Sequence, residues 1–370
     1  MAYDDSRFSL TSVDLAWAAD VARVREFLAA QGFAYDPALV EGTLAVETEE
    51  GRIVGTGSLC GDVLMFLAVS SECRGTDWGA RLVTHLQDRV FASGRPTAFV
   101  FTRPENRAIF QGLGYAEIAA AAPLICLLEF GYRTIRDFQR EIAARRIPSP
   151  RGDTAAVVIN ANPFTRGHRH LVEKAAADND AVYVFVVEED RSAFPFAVRF
   201  DLVRRGLADL PNVVVLGGGR YMISAATFPA YFLKSEQPDL IARKQAELDV
   251  DLFGRSIAPA MGVRRRYVGS EPACPTTALY NEAMRHVLGR YDVDVIEIPR
   301  LRHEGPDGEP RIISASAVRR CIGRGEMSRA LDVLPDVTRE YLLSEAASPV
   351  VATLRKLNEK TDPLPIDCPT

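Results

Sequence analysis

Lysine is scarce in this 370-residue chain: Lys174, Lys234, Lys244, Lys356 and Lys360 are the whole set. Positive charge is carried by arginine, so phosphate contacts are expected from guanidinium groups and backbone N–H. The six cysteines (Cys60, Cys73, Cys126, Cys274, Cys321 and Cys368) are scattered and form no C-x-x-C pair. That argues against a disulfide framework and for reduced, mostly buried thiols, as in cytoplasmic proteins. No apolar run is long enough to span a bilayer, and M-A-Y-D-D-S-R is acidic with no apolar stretch behind it. Neither membrane insertion nor secretion is therefore expected. A basic surplus is also missing: net charge is −5 and the pI about 5.7. Nucleic acid is accordingly not an expected partner. The content that remains, 47% hydrophobic and 25% charged, is that of a globular protein, and the length suits two domains.

The chain changes style partway. Over residues 1–130 the pattern reads helix (Asp14–Ala30), strands (Leu44–Glu47, Ile53–Leu59, Val63–Val69), and a loop and helix (Cys73–Val90). A strand (Thr97–Phe101), a helix (Asn106–Gln111) and a strand (Pro123–Phe130) follow. This order predicts an α+β domain with a largely antiparallel sheet. Residues 131–152 hold a basic helix-like segment and the cluster Pro148–Gly152, the expected linker. From 153 to 345 strands and helices alternate. Ala155–Ile159, Ala181–Val187, Val213–Leu216, Arg266–Val268 and Val293–Ile298 read as strands. Helical patterns cover 168–178, 197–208, 237–248, 277–288 and 316–323. Val/Ile runs between amphipathic helices predict a doubly wound parallel sheet. Residues 346–370 read as a short polar tail.

N-A-N-P-F-T-R-G-H, Asn160–His168, follows the apolar run Ala155–Ile159 directly. A buried strand running into a Pro-containing turn and a helix start puts Thr165, Gly167, His168 and open backbone amides at one helix N-terminus. Anions are stabilised there. The plain alternative is a helix cap with an incidental histidine. His170 lies about 200° further round the helix. It cannot share a metal site with His168, and no protein metal site is expected. Ile313–Arg319, I-S-A-S-A-V-R, offers a second such place. Ser314 or Ser316 can cap a helix, and Arg319 stands one turn in from Ser316. Tyr267–Glu271 is a strand ending in G-S-E, for which an ordinary turn is an equal reading. The helical pattern Phe196–Arg205 carries Arg199 near a possible substrate pocket, but the preferred reading is an exposed helix arginine.

The strand–turn T-x-G-H resembles the ATP-holding signature of one nucleotidyltransferase superfamily, and I-S-A-S-A-V-R resembles that superfamily's grip on the β- and γ-phosphates. G-G-G-R-Y-M-I-S-A-A-T-F-P-A-Y-F (Gly217–Phe232) and V-G-S-E-P-A-C-P-T-T-A-L-Y-N-E-A-M (Val268–Met284) narrow the match. With them the chain resembles the [citrate (pro-3S)-lyase] ligases over roughly residues 150–345. In the first half, C-R-G-T-D-W-G-A-R-L-V (Cys73–Val83) resembles the pyrophosphate turn of GNAT acetyltransferases. N-R-A-I-F-Q-G-L-G-Y (Asn106–Tyr115) resembles that fold's closing helix. Asp77 stands where the GNAT turn has a middle glycine, and its charge would repel a pyrophosphate. The preferred reading is a degenerate scaffold; docking of a coenzyme-A-like arm is the alternative.

The resemblance implies ATP-dependent acetylation of the prosthetic-group thiol of the citrate lyase acyl-carrier subunit. It proceeds through acetyl-adenylate and releases AMP and diphosphate. The prosthetic group is a dephospho-coenzyme-A derivative, and Mg²⁺ is expected on ATP. Thr165, His168 and Arg319 are the implied catalytic residues. Asn162, Phe164, Gly167, Gly269, Glu271, Ser314 and Ser316 are the implied nucleotide contacts. The same ATP motifs also suit a phosphopantetheine-type adenylyltransferase, and a coenzyme-A-binding regulatory protein is a further possibility of another class.

Overall fold

The computed structural model describes residues 7–73, 75–188, 192–222, 237–270, 275–304 and 310–360. Its backbone separates into two compact units. One comprises residues 1–137 and 228–244, the other 138–227 and 245–370.

The first unit is built on a seven-stranded sheet in the order β1-β2-β3-β4-β5-β7-β6. The strands are β1 (Phe8–Ser12), β2 (Gly42–Thr48), β3 (Ile53–Cys60), β4 (Val63–Val69), β5 (Thr97–Thr102), β6 (Ala116–Ala121) and β7 (Ile125–Gly131). All neighbours are antiparallel except β4 and β5. These pair in parallel, and only Val63–Leu64 against Phe99–Val100. The β3–β4 register shifts between Thr56 and Ser58, opposite Phe66, whose φ is +51°. A bulge of this kind re-aims a strand. Leu82, Leu86 and Val90 of helix Trp78–Ala92 are buried with Val46, Val54, Val100 and Leu128 in one core. This is the expected α+β architecture with a largely antiparallel sheet. The strand β6, absent from the sequence-based expectation, reads A-E-I-A-A-A, and alanine is a poor strand marker. β1 was also missed.

In the second unit, β8 (Thr154–Ile159), β9 (Ala181–Val186), β10 (Val213–Gly217), β11 (Arg265–Gly269) and β12 (Asp294–Ile298) form a five-stranded sheet. Its order is β10-β9-β8-β11-β12 and every pairing is parallel. The chain thus builds outward one way from β8, then returns to build the other way from β11. The crevice at their carboxyl ends is the switch point, where such sheets bind ligands. β8 and β9 are buried almost throughout, which is why they read as near-continuous apolar runs.

Helix Ser348–Lys360 corrects the expectation of a polar tail from Ala346. Val350 and Leu354 are buried with Val318, Ile322 and Leu342. A Cβ on Gly323 of helix Ala315–Gly323 would meet the Leu354 carbonyl oxygen at 2.9 Å, so the two helices lie in close contact. The spacing Val350, Leu354, Leu357 is helical, and Pro349 falls in the first turn, where proline is tolerated. Polar neighbours masked that pattern.

Candidate active site

The turn after β8 is held from several sides. Ala161 has φ +52°, an uncommon conformation for a residue with a side chain, and Asn162–Pro163 is cis. The Asn162 Oδ1 accepts from the Phe194 amide at 3.1 Å. The Thr338 hydroxyl donates to the Phe164 carbonyl at 2.9 Å, and the Arg166 amide donates to the Val333 carbonyl at 3.1 Å.

Arg199 is central to this support, and its placement overturns the reading as an exposed helix arginine. Its side chain is fully buried. Nη1 donates to the carbonyls of Asn160 and Val187, each at 2.7 Å, and to the Asn160 Oδ1 at 3.0 Å; Nε donates to the Phe194 carbonyl at 2.9 Å. The Asn160 and Val187 carbonyls lie where β8 and β9 end, and the Phe194 carbonyl lies just before the helix that carries Arg199. A forked, weakly hydrated cation can satisfy several of them at once. Helical periodicity reports only that Arg199 sits on a helix, not that strand ends lie opposite it.

Helix Arg166–Asp178 starts from Thr165 with a reciprocal cap. The Thr165 hydroxyl accepts from the His168 amide at 3.4 Å, and the His168 Nδ1 accepts from the Thr165 amide at 3.1 Å. A backbone amide can only donate, so Nδ1 is the acceptor and the neutral ring carries its proton on Nε2. Burial, and secondly the charge of Arg300, push the His168 pKa down to about 4. The imidazole is therefore neutral at ordinary pH and presents a fixed N–H. Thr165 is itself buried, so its hydroxyl acts on His168 from behind.

Phe164 departs from its expected role as a pocket lining. It is fully buried, stacks on His168 with centroids 6.1 Å apart, and fills the space over Gly206. A Cβ on Gly206 would lie 2.4 Å from its ring. Phe164 thus supports the turn from beneath.

The second motif comes to the same place. Ser314 stands at the N-cap of helix Ala315–Gly323 in extended conformation, but its side chain caps nothing. Ser316 is buried, and its hydroxyl accepts from the Arg319 Nη2 at 3.1 Å. Arg319 Nη1 donates to the Asn162 carbonyl at 2.6 Å, tying the two motifs together across the chain. A Cβ on Gly167 would sit 3.6 Å from Ile313, so the two helix starts are neighbours.

Gly269 ends β11, beside β8, and its carbonyl accepts from Asn281 at 3.4 Å. Glu271 lies outside the described residues, as does the Gly217–Phe232 block from Ile223 onward. Arg300, just past β12, was not singled out in the sequence. Its Nε donates to the Ser270 carbonyl at 3.0 Å, and its charge bears on His168. A lone arginine after a strand carries no motif, so only the parallel β11–β12 pairing discloses its place. Among the described residues no cluster of His, Cys, Asp or Glu could hold a metal ion. Nor, among them, is any helix long and apolar enough to cross a membrane.

A doubly wound sheet with T-x-G-H at its switch point and a second helix start beside it defines a nucleotidyltransferase-like domain. The family model described as "Citrate lyase ligase C-terminal domain" matches residues 154–342. The "[Citrate [pro-3S]-lyase] ligase" of Escherichia coli (strain K12) is 32% identical, over 87% of this chain and 90% of that protein. The protein of the same name from Klebsiella pneumoniae is 36% identical, over 80% and 85%. The chain belongs to the citrate lyase ligase family. The chain also resembles an acetyltransferase of the GNAT family from Staphylococcus aureus MU50. That likeness has 10% identity and a TM-score of 0.30, covering 34% of this chain and 99% of that one. The fold of the first unit rests on its sheet order.

Proposed function

We propose that this protein acetylates the prosthetic-group thiol of the citrate lyase acyl-carrier subunit, using ATP and acetate. Membership of the ligase family supports the reaction class. The observation that carries the residue assignment is the Arg319–Asn162 bond, with the Gly167–Ile313 contact beside it. Together they bring the two helix starts side by side, which supports reading them as one phosphate site.

In the first step an acetate oxygen attacks the α-phosphorus of ATP. The new P–O bond forms as the bond to the bridging oxygen breaks, and diphosphate leaves. Charge grows on the α-phosphate oxygens, where the His168 Nε2–H and the helix start at Gly167 stabilise it. No protein neighbour requires glycine at 167, since a Cβ there would make only ordinary contacts at 3.5–3.6 Å. Its bareness suits close approach by a phosphate. Thr165 positions His168 and fixes its tautomer. Arg319, with Ser314, Ser316 and the open amides of their helix, holds the departing diphosphate. In the second step the carrier thiol attacks the acetyl carbonyl; a thioester forms and AMP leaves.

Gly269 would border the nucleotide, and Asn162 would shape its pocket through the backbone that Arg319 grips. Mg²⁺ would arrive on the triphosphate, held by phosphates and water. In the first unit the Asp77 carboxylate accepts from Arg81 at 2.8 Å at the start of its helix. An anion already seated there favours the scaffold reading of that unit.

Acetate-dependent exchange of labelled diphosphate into ATP tests the first step. Arg319→Ala is expected to weaken ATP binding about ten- to a hundredfold, the worth of a charge-assisted contact. An unchanged ATP dissociation constant in a folded variant would remove Arg319 from the diphosphate site.

A further inference from the structure

Asn160 is the first residue beyond β8, the middle strand of the parallel sheet, so it stands at the crevice where such sheets bind ligands. Its side-chain oxygen is engaged twice. Oδ1 accepts from the Arg199 Nη1 at 3.0 Å and from the Ser192 hydroxyl at 3.3 Å. A guanidinium can only donate, so the amide has one orientation: its oxygen faces Arg199 and its NH2 faces away. That NH2 has no acceptor among the described residues, and it is not one of the side-chain nitrogens enclosed without a partner. Asn160 is half-buried, which leaves Nδ2 accessible to a ligand.

Support of Arg199 does not account for an amide at this position. An aspartate would receive a guanidinium more strongly, through a charge-assisted bond. What asparagine adds is a pair of N–H donors without charge. The phosphates of ATP have donors assigned above, at the helix starts, His168 and Arg319, but the attacking acetate has none. Two anions must meet at about 3–3.5 Å for attack. A carboxylate at position 160 would add a third negative charge and raise the Coulomb cost of that approach. A neutral N–H holds one acetate oxygen and leaves the charge of the other available for attack.

We propose that the Asn160 Nδ2 donates to the acetate carboxylate and holds it at the end of β8 for attack on the α-phosphorus, an inference that rests on the acetyl-adenylate reading above. Arg199 and Ser192 are positioning residues: by holding Oδ1 they aim the NH2. The N–H takes the acetate oxygen that does not attack. When the other oxygen joins phosphorus and diphosphate leaves with the electrons of the broken P–O bond, the held oxygen becomes the acyl carbonyl, still under the same N–H.

The experiment measures diphosphate exchange against acetate in wild type, Asn160→Asp and Asn160→Ala, with ATP affinity measured separately by calorimetry. Asn160→Asp keeps an acceptor for Arg199 and Ser192 and replaces only the NH2. It is expected to fold and to raise the acetate KM about ten- to a hundredfold, the worth of a hydrogen bond to a charged group. Asn160→Ala should raise the acetate KM in the same range while ATP affinity stays within about twofold. A wild-type acetate KM in Asn160→Asp overturns the assignment, because the residue then serves Arg199 alone. A loss of ATP affinity in Asn160→Ala equal to the rise in acetate KM overturns it too, and makes Asn160 a phosphate contact. If wild-type exchange does not respond to acetate, the acetyl-adenylate reading itself is contradicted, and the role of Asn160 falls with it. If Asn160→Ala does not fold, Asn160→Asp decides, since it preserves both bonds to the Oδ1 position.

Discussion

His168→Ala is expected to lower the rate of acetate-dependent diphosphate exchange by about 10²–10³, the cost of removing one preorganised donor from a developing oxyanion. ATP binding should change little, because His168 contributes most when charge builds up at phosphorus. The substitution also opens one half of the cap at Thr165, so a loss of about 1 kcal/mol in stability accompanies it. His168→Gln, whose side-chain amide can place an N–H near the position of Nε2, should recover part of the rate. The pH dependence separates this role from acid–base catalysis. A half-buried imidazole held at a pKa of about 4 does not titrate near neutrality. Exchange should therefore be level from about pH 6 to 8 as far as His168 is concerned. The sign for stability follows from the same shift. The unfolded chain takes up this proton first as pH falls below the ordinary value of 6.5, so the native state loses stability from there down to about 4. An exchange rate that falls with a midpoint at the ordinary histidine pKa, or a His168→Ala variant with wild-type exchange, would contradict the donor role.

Arg199→Ala carries the largest expected loss of stability. The substitution removes a fully buried guanidinium and leaves the carbonyls of Asn160, Val187 and Phe194 without that donor. Breaking a buried charged network of this kind costs about 3–5 kcal/mol. Denaturant unfolding should show it as a lower midpoint, and Arg199→Lys should not rescue it, because one ammonium cannot span three carbonyls in a fork. A cost below about 1 kcal/mol would mean that the strand ends find other donors. The two variants differ in kind: His168→Ala should fold and fail to react, whereas Arg199→Ala should fail to hold the turn on which His168 sits.

These two residues also mark what the sequence discloses and what it does not. The turn at Asn160–His168 was legible because its chemistry is local. A buried strand, a proline and a Gly-His helix start lie within a dozen positions, and each has its own signal. The helix at Ser314–Arg319 was legible for the same reason. That the two motifs touch, through Arg319 and the Asn162 carbonyl, is a long-range pairing that the spacing along the chain does not encode. Arg199 and Arg300 were misread or passed over because their meaning lies wholly in what faces them after folding. Phe164 shows the reverse error. Its place within a ligand-binding motif suggested contact with the nucleotide, yet the bare Gly206 lets it pack underneath as core. The helix Ser348–Lys360 escaped notice because only three apolar positions carry its pattern, and its partner, helix Ala315–Gly323, is distant in sequence.

The most direct measurement combines this protein with purified, deacetylated citrate lyase acyl-carrier subunit, ATP and acetate, and follows the carrier thiol and the nucleotide products together. The expected result is a thioester on the carrier, with AMP and diphosphate released in equal amounts and neither formed without acetate. A carrier thiol that stays free, with AMP transferred instead to a phosphorylated acceptor such as phosphopantetheine, would contradict the proposed function.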